Sequence, residues 1–259
     1  MRAHLTGSFL FDAEISNEMS ALAIRCQQVK KSYGSKRVLD NIDLEVPAGH
    51  FYGLVGINGS GKTTMIKAIL DLIAIDDGLI HMFGQSHREV SARQQLAYLP
   101  DRFSPPAYLS SRDFIQYMLE LHDSTQGEKE ILSMLDTLGL DREIMTQSVG
   151  RLSKGMTQKL GLMTCLLSRK TLLILDEPMS GLDPKARVLF KKQLFSLKKQ
   201  GVTVFFSSHV LADVDELADR MAVLHQGRIL HQGTAAEFKR KYNGENLEQA
   251  YINCVDATE

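Results

Sequence analysis

The sequence predicts an α/β fold: a parallel sheet flanked by helices and interrupted by a helical insertion. Three observations lead there. A short apolar run, Phe51 to Ile57, passes straight into a glycine-rich loop and then into a segment of helical periodicity. The middle third carries helical patterns only. From Leu172 onward, short apolar strands and amphipathic helices alternate again, as the crossovers of a parallel sheet require.

Residues 1–20 show no sustained periodicity and read as a flexible leader, with Met19 a candidate true start. Ala21 to Val29 reads as a strand. Ile42, Leu44 and Val46 alternate strictly with polar residues, the pattern of a half-buried strand. Pro47-Ala48-Gly49 supplies a turn. After the buried strand Phe51 to Ile57, Ile66, Ile69, Leu70 and Ile73 fall at i, i+3, i+4, i+7, so a helix follows the loop.

In the middle third, Ser110 and Asp113 form a capping box ahead of Phe114, Tyr117, Met118 and Leu121. A second helix, Glu128 to Leu138, ends at Gly139, a C-cap. A third starts at Ser153 and carries Leu160, Met163 and Leu167. The alternation then resumes with strand Leu172 to Leu175, helix Lys185 to Lys199 behind Pro184, and strand Val202 to Phe206. Helix Leu211 to Ala218, strand Met221 to Leu224, the Gln226-Gly227 turn and Arg228 to His231 complete it. The expected organisation is a leader (1–20), a single domain (21–240) with a helical subdomain at about 103–165, and a polar C-terminal tail (241–259).

Composition bounds the function. With 44% hydrophobic and 24% charged residues the chain can bury a core, which excludes wholesale disorder. Lys+Arg at 30 against Asp+Glu at 31 leaves a net charge of -1, without the basic footprint of a general nucleic-acid binder. No apolar run approaches the roughly 18 residues of a membrane helix, and no signal peptide is readable. Cys26, Cys165 and Cys254 lie far apart without a CxxC, which argues against disulfides and zinc and for a reducing compartment. A soluble cytosolic protein is expected.

Two motifs carry chemistry. Gly56-Ile57-Asn58-Gly59-Ser60-Gly61-Lys62-Thr63 fits G-x-x-x-x-G-K-[ST] between a strand and a helix. Its glycines let backbone amides curl round anionic oxygens, and the helix N-terminus adds a favourable dipole. Lys62 neutralises outer phosphates and the Thr63 hydroxyl can ligate Mg²⁺. Further on, Leu172-Leu173-Ile174-Leu175-Asp176-Glu177 ends an apolar strand in two acids. Carboxylates there are costly without a cation or hydrogen bonds to compensate. Asp176 suits Mg²⁺, and Glu177 suits a general base aimed at an attacking water.

Three more motifs follow in order, and with them residues 21–235 resemble an ATP-binding cassette (ABC) ATPase. Leu152-Ser153-Lys154-Gly155-Met156 resembles the family signature LSGGQ, Ser180-Gly181-Leu182-Asp183 resembles the D-loop, and His209 resembles the switch histidine. Tyr33 resembles the aromatic that stacks on adenine. The resemblance implies a P-loop NTPase (RecA-like) core with a small antiparallel β subdomain and a helical subdomain. It implies ATP and Mg²⁺ as cofactors, with nucleotide contacts from Tyr33, Gly56, Asn58, Gly59, Ser60, Gly61, Lys62, Thr63 and Thr64. Glu177 and His209 would be catalytic, and Thr63 and Asp176 would hold the metal.

In the family two cassettes pack head to tail, so Ser153 and Gly155 would close over the partner's γ-phosphate and Asp183 would link the two sites. The resemblance therefore implies a second cassette, expected as a homodimer, and separate integral-membrane permease subunits. It places the chain on the inner face of the cell membrane, without nucleic acid. Two departures stand out. Asp101 occupies the usual Gln position, where a water-mediated link to Mg²⁺ is favoured. Lys154 and Met156 replace a Gly and a Gln of the signature, which activity should survive. Phe103, Pro105, Pro106 and Tyr108 would line the groove for the permease. These departures are most similar to cassettes serving small exporters. The alternative is a soluble ABC ATPase of repair, translation or iron–sulfur assembly; a non-hydrolysing module is disfavoured because Lys62, Asp176, Glu177 and His209 are all present.

Overall fold

The computed structural model describes residues 22–258, so the expected leader lies outside the described residues. Two sheets organise the chain. Strands β1 (Leu22–Tyr33), β2 (Lys36–Pro47), β4 (Asp77–Met82) and β5 (Gln85–Ser86) form an antiparallel sheet in the order β2-β1-β4-β5. The larger sheet runs β10-β9-β3-β8-β7-β6, with β3 (Phe51–Val55), β6 (Leu96–Leu99), β7 (Leu172–Leu175), β8 (Thr203–Ser208) and β9 (Arg220–His225) parallel. Only β10 (Arg228–Gly233) is antiparallel to its neighbour within that sheet.

Strands β3, β7 and β8 are buried along their whole length, as a parallel sheet covered on both faces demands. Their side chains alternate between two cores. Phe51 and Val55 face one core with Leu173, Leu175 and Phe206, whereas Tyr52 and Leu54 face the other with Leu172, Ile174 and Phe205. That second core also holds Ile42, Leu44 and Val46 of β2, so the strictly alternating strand is what joins the small sheet to the large one.

The helices are α1 (Lys62–Ile69), α2 (Ser111–Leu121), α3 (Glu128–Leu138), α4 (Lys154–Leu167), α5 (Pro184–Lys199), α6 (Leu211–Leu217), α7 (Ala235–Lys241) and α8 (Leu247–Asp256). Helices α2 to α4 form the insertion between β6 and β7. Most of the cap signals act as expected. Ser110 accepts from the Asp113 amide at 3.1 Å, Ser153 accepts from the Met156 amide at 3.2 Å, and Gly139 takes a left-handed φ of 63° to close α3. Asp113 departs from a full capping box, because its carboxylate accepts from the Ser110 hydroxyl at 2.6 Å.

Two segments differ from the sequence expectation. Asp77–Met82 carries no clear alternation, yet it pairs with β1 because Gly78, at φ 97°, lets the backbone approach the carbonyls of Gln27 and Gln28. The polar tail expected at the C-terminus folds as α8, capped by Asn246, with Leu247, Ala250 and Cys254 buried at i, i+3 and i+7. Three apolar residues at helical spacing outweigh the polar composition around them. Among the described residues no helix is long and apolar enough to cross a membrane.

Candidate active site

The phosphate loop starts from a rigid base, since β3 is wholly buried and leads directly into Gly56. A Cβ on Gly56 would lie 2.4 Å from the Leu224 carbonyl oxygen and 2.5 Å from Ser60 Oγ, so only glycine lets the loop lie against β9. Gly61, at φ 113°, is the cap of α1, and that helix has neither a side-chain cap nor an acid in its first turn. Its leading amides are thus left for an outside anion. Ser60 Oγ is also buried without a partner among the described residues. Gly56→Ala should loosen the loop from β9 at a cost of about 1–3 kcal/mol. A lower unfolding temperature together with weakened nucleotide binding would bear this out; a variant like the parent in both would sink it.

Lys62 is buried inside its own loop. Its ammonium donates to the Gly56 carbonyl at 2.7 Å and to the Ile57 carbonyl at 3.4 Å, and stands 3.3 Å from Glu177 Oε1. The other Glu177 oxygen accepts from His209 Nδ1 at 2.8 Å. One carboxylate therefore joins the phosphate-loop lysine to the histidine beyond β8. Glu177 sits in a left-handed conformation at φ 50°, a strained backbone that aims its side chain between the two.

Asp176 ends β7 fully buried. The Ser207 hydroxyl donates to its Oδ1 at 2.5 Å, while Oδ2 is buried with no hydrogen-bond partner among the described residues. Burial pushes its carboxyl above the usual range. The Ser207 and Thr63 hydroxyls oppose that, and the charges of Asp101 and Glu177 reinforce it. An orphaned carboxylate oxygen beside a threonine hydroxyl and a second carboxylate is a donor set that suits Mg²⁺. No group of three or more His, Cys, Asp or Glu among the described residues could hold a metal alone, so the cation would draw its remaining ligands from nucleotide and water.

Ser207 was missed in the sequence. It bonds Asp176 and accepts from the Glu177 amide at 2.8 Å, fixing both acids to β8. The available signal was a pair of serines ending an otherwise apolar strand beside His209.

The structure brings Gly56 to Thr64, Asp101, Asp176, Glu177 and His209 to one end of the large sheet. Tyr33 lies at the tip of the β1–β2 hairpin, half exposed, with Lys31 Nζ 5.4 Å from its ring centroid. The hairpin flanks the loop, because Val38 of β2 offers its carbonyl to the position a Gly61 Cβ would take. Ser153, Gly155 and Asp183 gather elsewhere. A Gly155 Cβ would meet the Gly181 carbonyl at 3.3 Å, and Asp183 caps α5 by accepting from the Ala186 amide at 2.8 Å. That hydrogen bond and the Lys159 ammonium 3.7 Å away hold the Asp183 carboxyl below its usual range. The side-chain bonds of this second group run to Met156, Ala186 and Lys159, not to the phosphate loop.

The segment expected to line the permease groove is partly exposed. Phe103 is half-buried, its ring packed edge-on to Phe114 at 5.8 Å over the space left by Gly161. Tyr108 is 84% exposed, and Pro105 and Pro106 are half-buried.

Comparison with known proteins places this arrangement. The sequence profile described as ABC transporter matches residues 39–180. The lantibiotic transport ATP-binding protein SrtF of Streptococcus pyogenes is 34% identical over 238 residues, which covers 90% of this chain and 97% of SrtF. The bacitracin transport ATP-binding protein BcrA of Bacillus licheniformis is 32% identical, over 87% of this chain and 74% of BcrA. An ABC transporter ATP-binding protein of Synechocystis is 36% identical over 77% of this chain, but the match spans 57% of that relative's length. Among solved structures, an ATP-binding subunit of an ABC transporter superposes with a TM-score of 0.82 at 26% identity, covering 90% of this chain and 99% of its own. A dimeric ATP-binding cassette bound to ADP and phosphate shares the fold, with a TM-score of 0.74 at 20% identity, over 82% of this chain and 98% of its own.

Proposed function

Because the chain belongs to the ABC transporter family of ATP-binding cassettes, we propose that it hydrolyses ATP to drive export through separate membrane subunits. The observation that carries the catalytic part is the line of contacts from Lys62 through Glu177 to His209, beside the orphaned oxygen of Asp176. The support for export is that SrtF and BcrA are named for the transport of a lantibiotic and of bacitracin.

The chain's own groups divide the work. Phosphate oxygens compete for Lys62, which leaves the Gly56 and Ile57 carbonyls and turns to the outer phosphates. Glu177, released from Lys62, then has one oxygen free to take a proton from an attacking water. His209 keeps the other oxygen oriented through Nδ1, and its Nε2 is left to face the γ-phosphate. Thr63 and Asp176 would hold Mg²⁺, which neutralises charge on the outer phosphates when bound. Ser153 and Gly155, away from the loop of their own chain, would meet the phosphates of a second copy packed head to tail. Asp183, which caps α5 beside Lys159 of the signature helix, would join the two sites. The assembly would sit on the inner membrane face through its permease.

Asp101 tunes the metal site in this reading. Its charge adds to the burial that raises the Asp176 carboxyl, so Mg²⁺-ATP binding should weaken as pH falls through that raised value. In Asp101→Asn the raising charge is gone, and the acid limb of binding should move to lower pH. Titration calorimetry across pH reads the limb directly; an unmoved limb with unchanged Mg²⁺ dependence removes Asp101 from the site. The transport reading is tested by recovering the tagged chain from detergent-solubilised native membranes. A multi-spanning membrane protein in near-equal amount supports it. Soluble partners alone, with no chain in the membrane fraction, would favour a soluble ABC ATPase.

A further inference from the structure

Two segments far apart in the chain grip the phosphate loop from outside: Val38 to Asp40 of β2, and the turn between β9 and β10. Gln226 and Gly227 make that turn in left-handed conformations, at φ 45° and 77°. Gly227 is buried. Its amide donates to the Ser60 carbonyl at 3.2 Å, and its carbonyl accepts from the Asp40 amide at 2.8 Å. One residue thus ties the middle of the phosphate loop to β2. A Gly227 Cβ would lie 2.7 Å from the Val38 carbonyl oxygen, and a Gly61 Cβ would lie 2.9 Å from the same oxygen. Loop, turn and strand therefore meet backbone to backbone, with no room for a side chain.

A charged group locks this junction. Asp40 is 8% exposed, and its Oδ2 accepts from Arg228 Nε at 2.8 Å with Arg228 Nη2 at 2.6 Å. Its Oδ1 accepts from Arg37 Nη1 at 2.9 Å. The hydrogen bonds from Arg228, then Arg37, hold the Asp40 carboxyl below its usual range. Arg228 directly follows the residue that holds Ser60, and it stands 188 residues from Asp40 in sequence. Farther along β10, Gln232 makes separate ties to β2. Its side chain donates to the Asp43 carbonyl at 2.9 Å and accepts from the Glu45 amide at 3.4 Å and the Tyr52 hydroxyl at 3.2 Å. Those bonds hold the same two strands together but involve no residue of the loop.

We propose that Asp40 and Arg228 are positioning residues for nucleotide binding: their ion pair holds the β9–β10 turn against β2, and the Gly227 amide then fixes the Ser60 carbonyl so that the loop is set before the phosphates arrive. Preorganisation of this kind lowers the cost of binding. The proposal rests on reading the loop as an ATP site. It predicts an effect on binding more than on the chemical step, because the bonds of this pair run to each other and to Arg37, not to Asp176, Glu177 or His209.

The test compares the full chain with Arg228→Gln, Asp40→Ala, the double variant and Gln232→Ala. Calorimetric Kd values for MgATP and MgADP, KM, kcat and the unfolding temperature are measured for each. Arg228 has a side chain 70% exposed, so its replacement leaves the core intact. Loss of the one neutral bond between turn and loop should raise Kd and KM roughly 2- to 12-fold in either single variant, with kcat within about twofold of the parent. The double variant should bind about as the weaker single does, since both break one link. Gln232→Ala should bind like the parent. Parent-like Kd values in Arg228→Gln overturn the proposal, whatever the unfolding temperature. Losses that add in the double variant overturn it, since the two residues would then act separately. An equal loss in Gln232→Ala overturns it too, by assigning the effect to the docking of β10 at large. If the parent chain itself fails to bind MgATP, the reading of the phosphate loop fails and takes the proposal with it.

Discussion

Glu177→Gln should bind MgATP about as the parent does and turn it over roughly 10²–10⁴-fold more slowly. The substitution changes one oxygen to an amide and keeps the side chain's shape. The strained left-handed backbone at φ 50° is retained as well, so backbone relaxation cannot produce the rate loss. The lost property is basicity next to His209, whose Nδ1 stands 2.8 Å from Glu177 Oε2. Removing a negative charge from a site that must hold a polyanion should, if anything, strengthen nucleotide binding and favour a nucleotide-held dimer. Steady-state turnover and sedimentation with MgATP read the two effects separately. Parent-like hydrolysis in Glu177→Gln would remove Glu177 from the general-base role.

Lys62→Ala should act at the other end of the same line of contacts and strike binding first. A charged hydrogen bond to phosphate of the usual strength corresponds to roughly 10- to 150-fold in affinity. The variant also strands a carboxylate, because Glu177 Oε1 is buried and Lys62 is its charged neighbour at 3.3 Å. The nucleotide-free Lys62→Ala protein should therefore unfold at a lower temperature than the parent. Adding Glu177→Gln should return part of the loss, since a neutral amide is less costly to leave unpaired. If the two substitutions add without coupling, the Lys62–Glu177 contact carries no energy in the resting protein. If Lys62→Ala binds MgATP as tightly as the parent, Lys62 does not reach the phosphates.

Much of this site could be read along the chain. The phosphate loop, the two acids at the end of β7 and the histidine beyond β8 are contiguous motifs whose chemistry depends on covalent neighbours. Local caps were legible for the same reason, as Ser153 and Gly139 act within one turn of their own helices. Other features left little local trace. Asp77–Met82 becomes a strand because Gly78 can approach β1, a partner about 50 residues earlier. The Phe103 ring packs beside Gly161, on a helix far along the chain, whose missing side chain leaves it room.

The sequence by itself determined the alternation of strands and helices, the anion-binding loop and the pairing of Asp176 with Glu177, since each follows from dihedral preference, periodicity or adjacency. The tertiary structure alone decided which distant groups share an environment. It placed Ser207 against both acids and Asp101 within reach of the Asp176 charge. The physical reason is that sheet register and the burial of apolar faces fix those approaches. Both depend on the whole chain closing at once and on no single stretch of it.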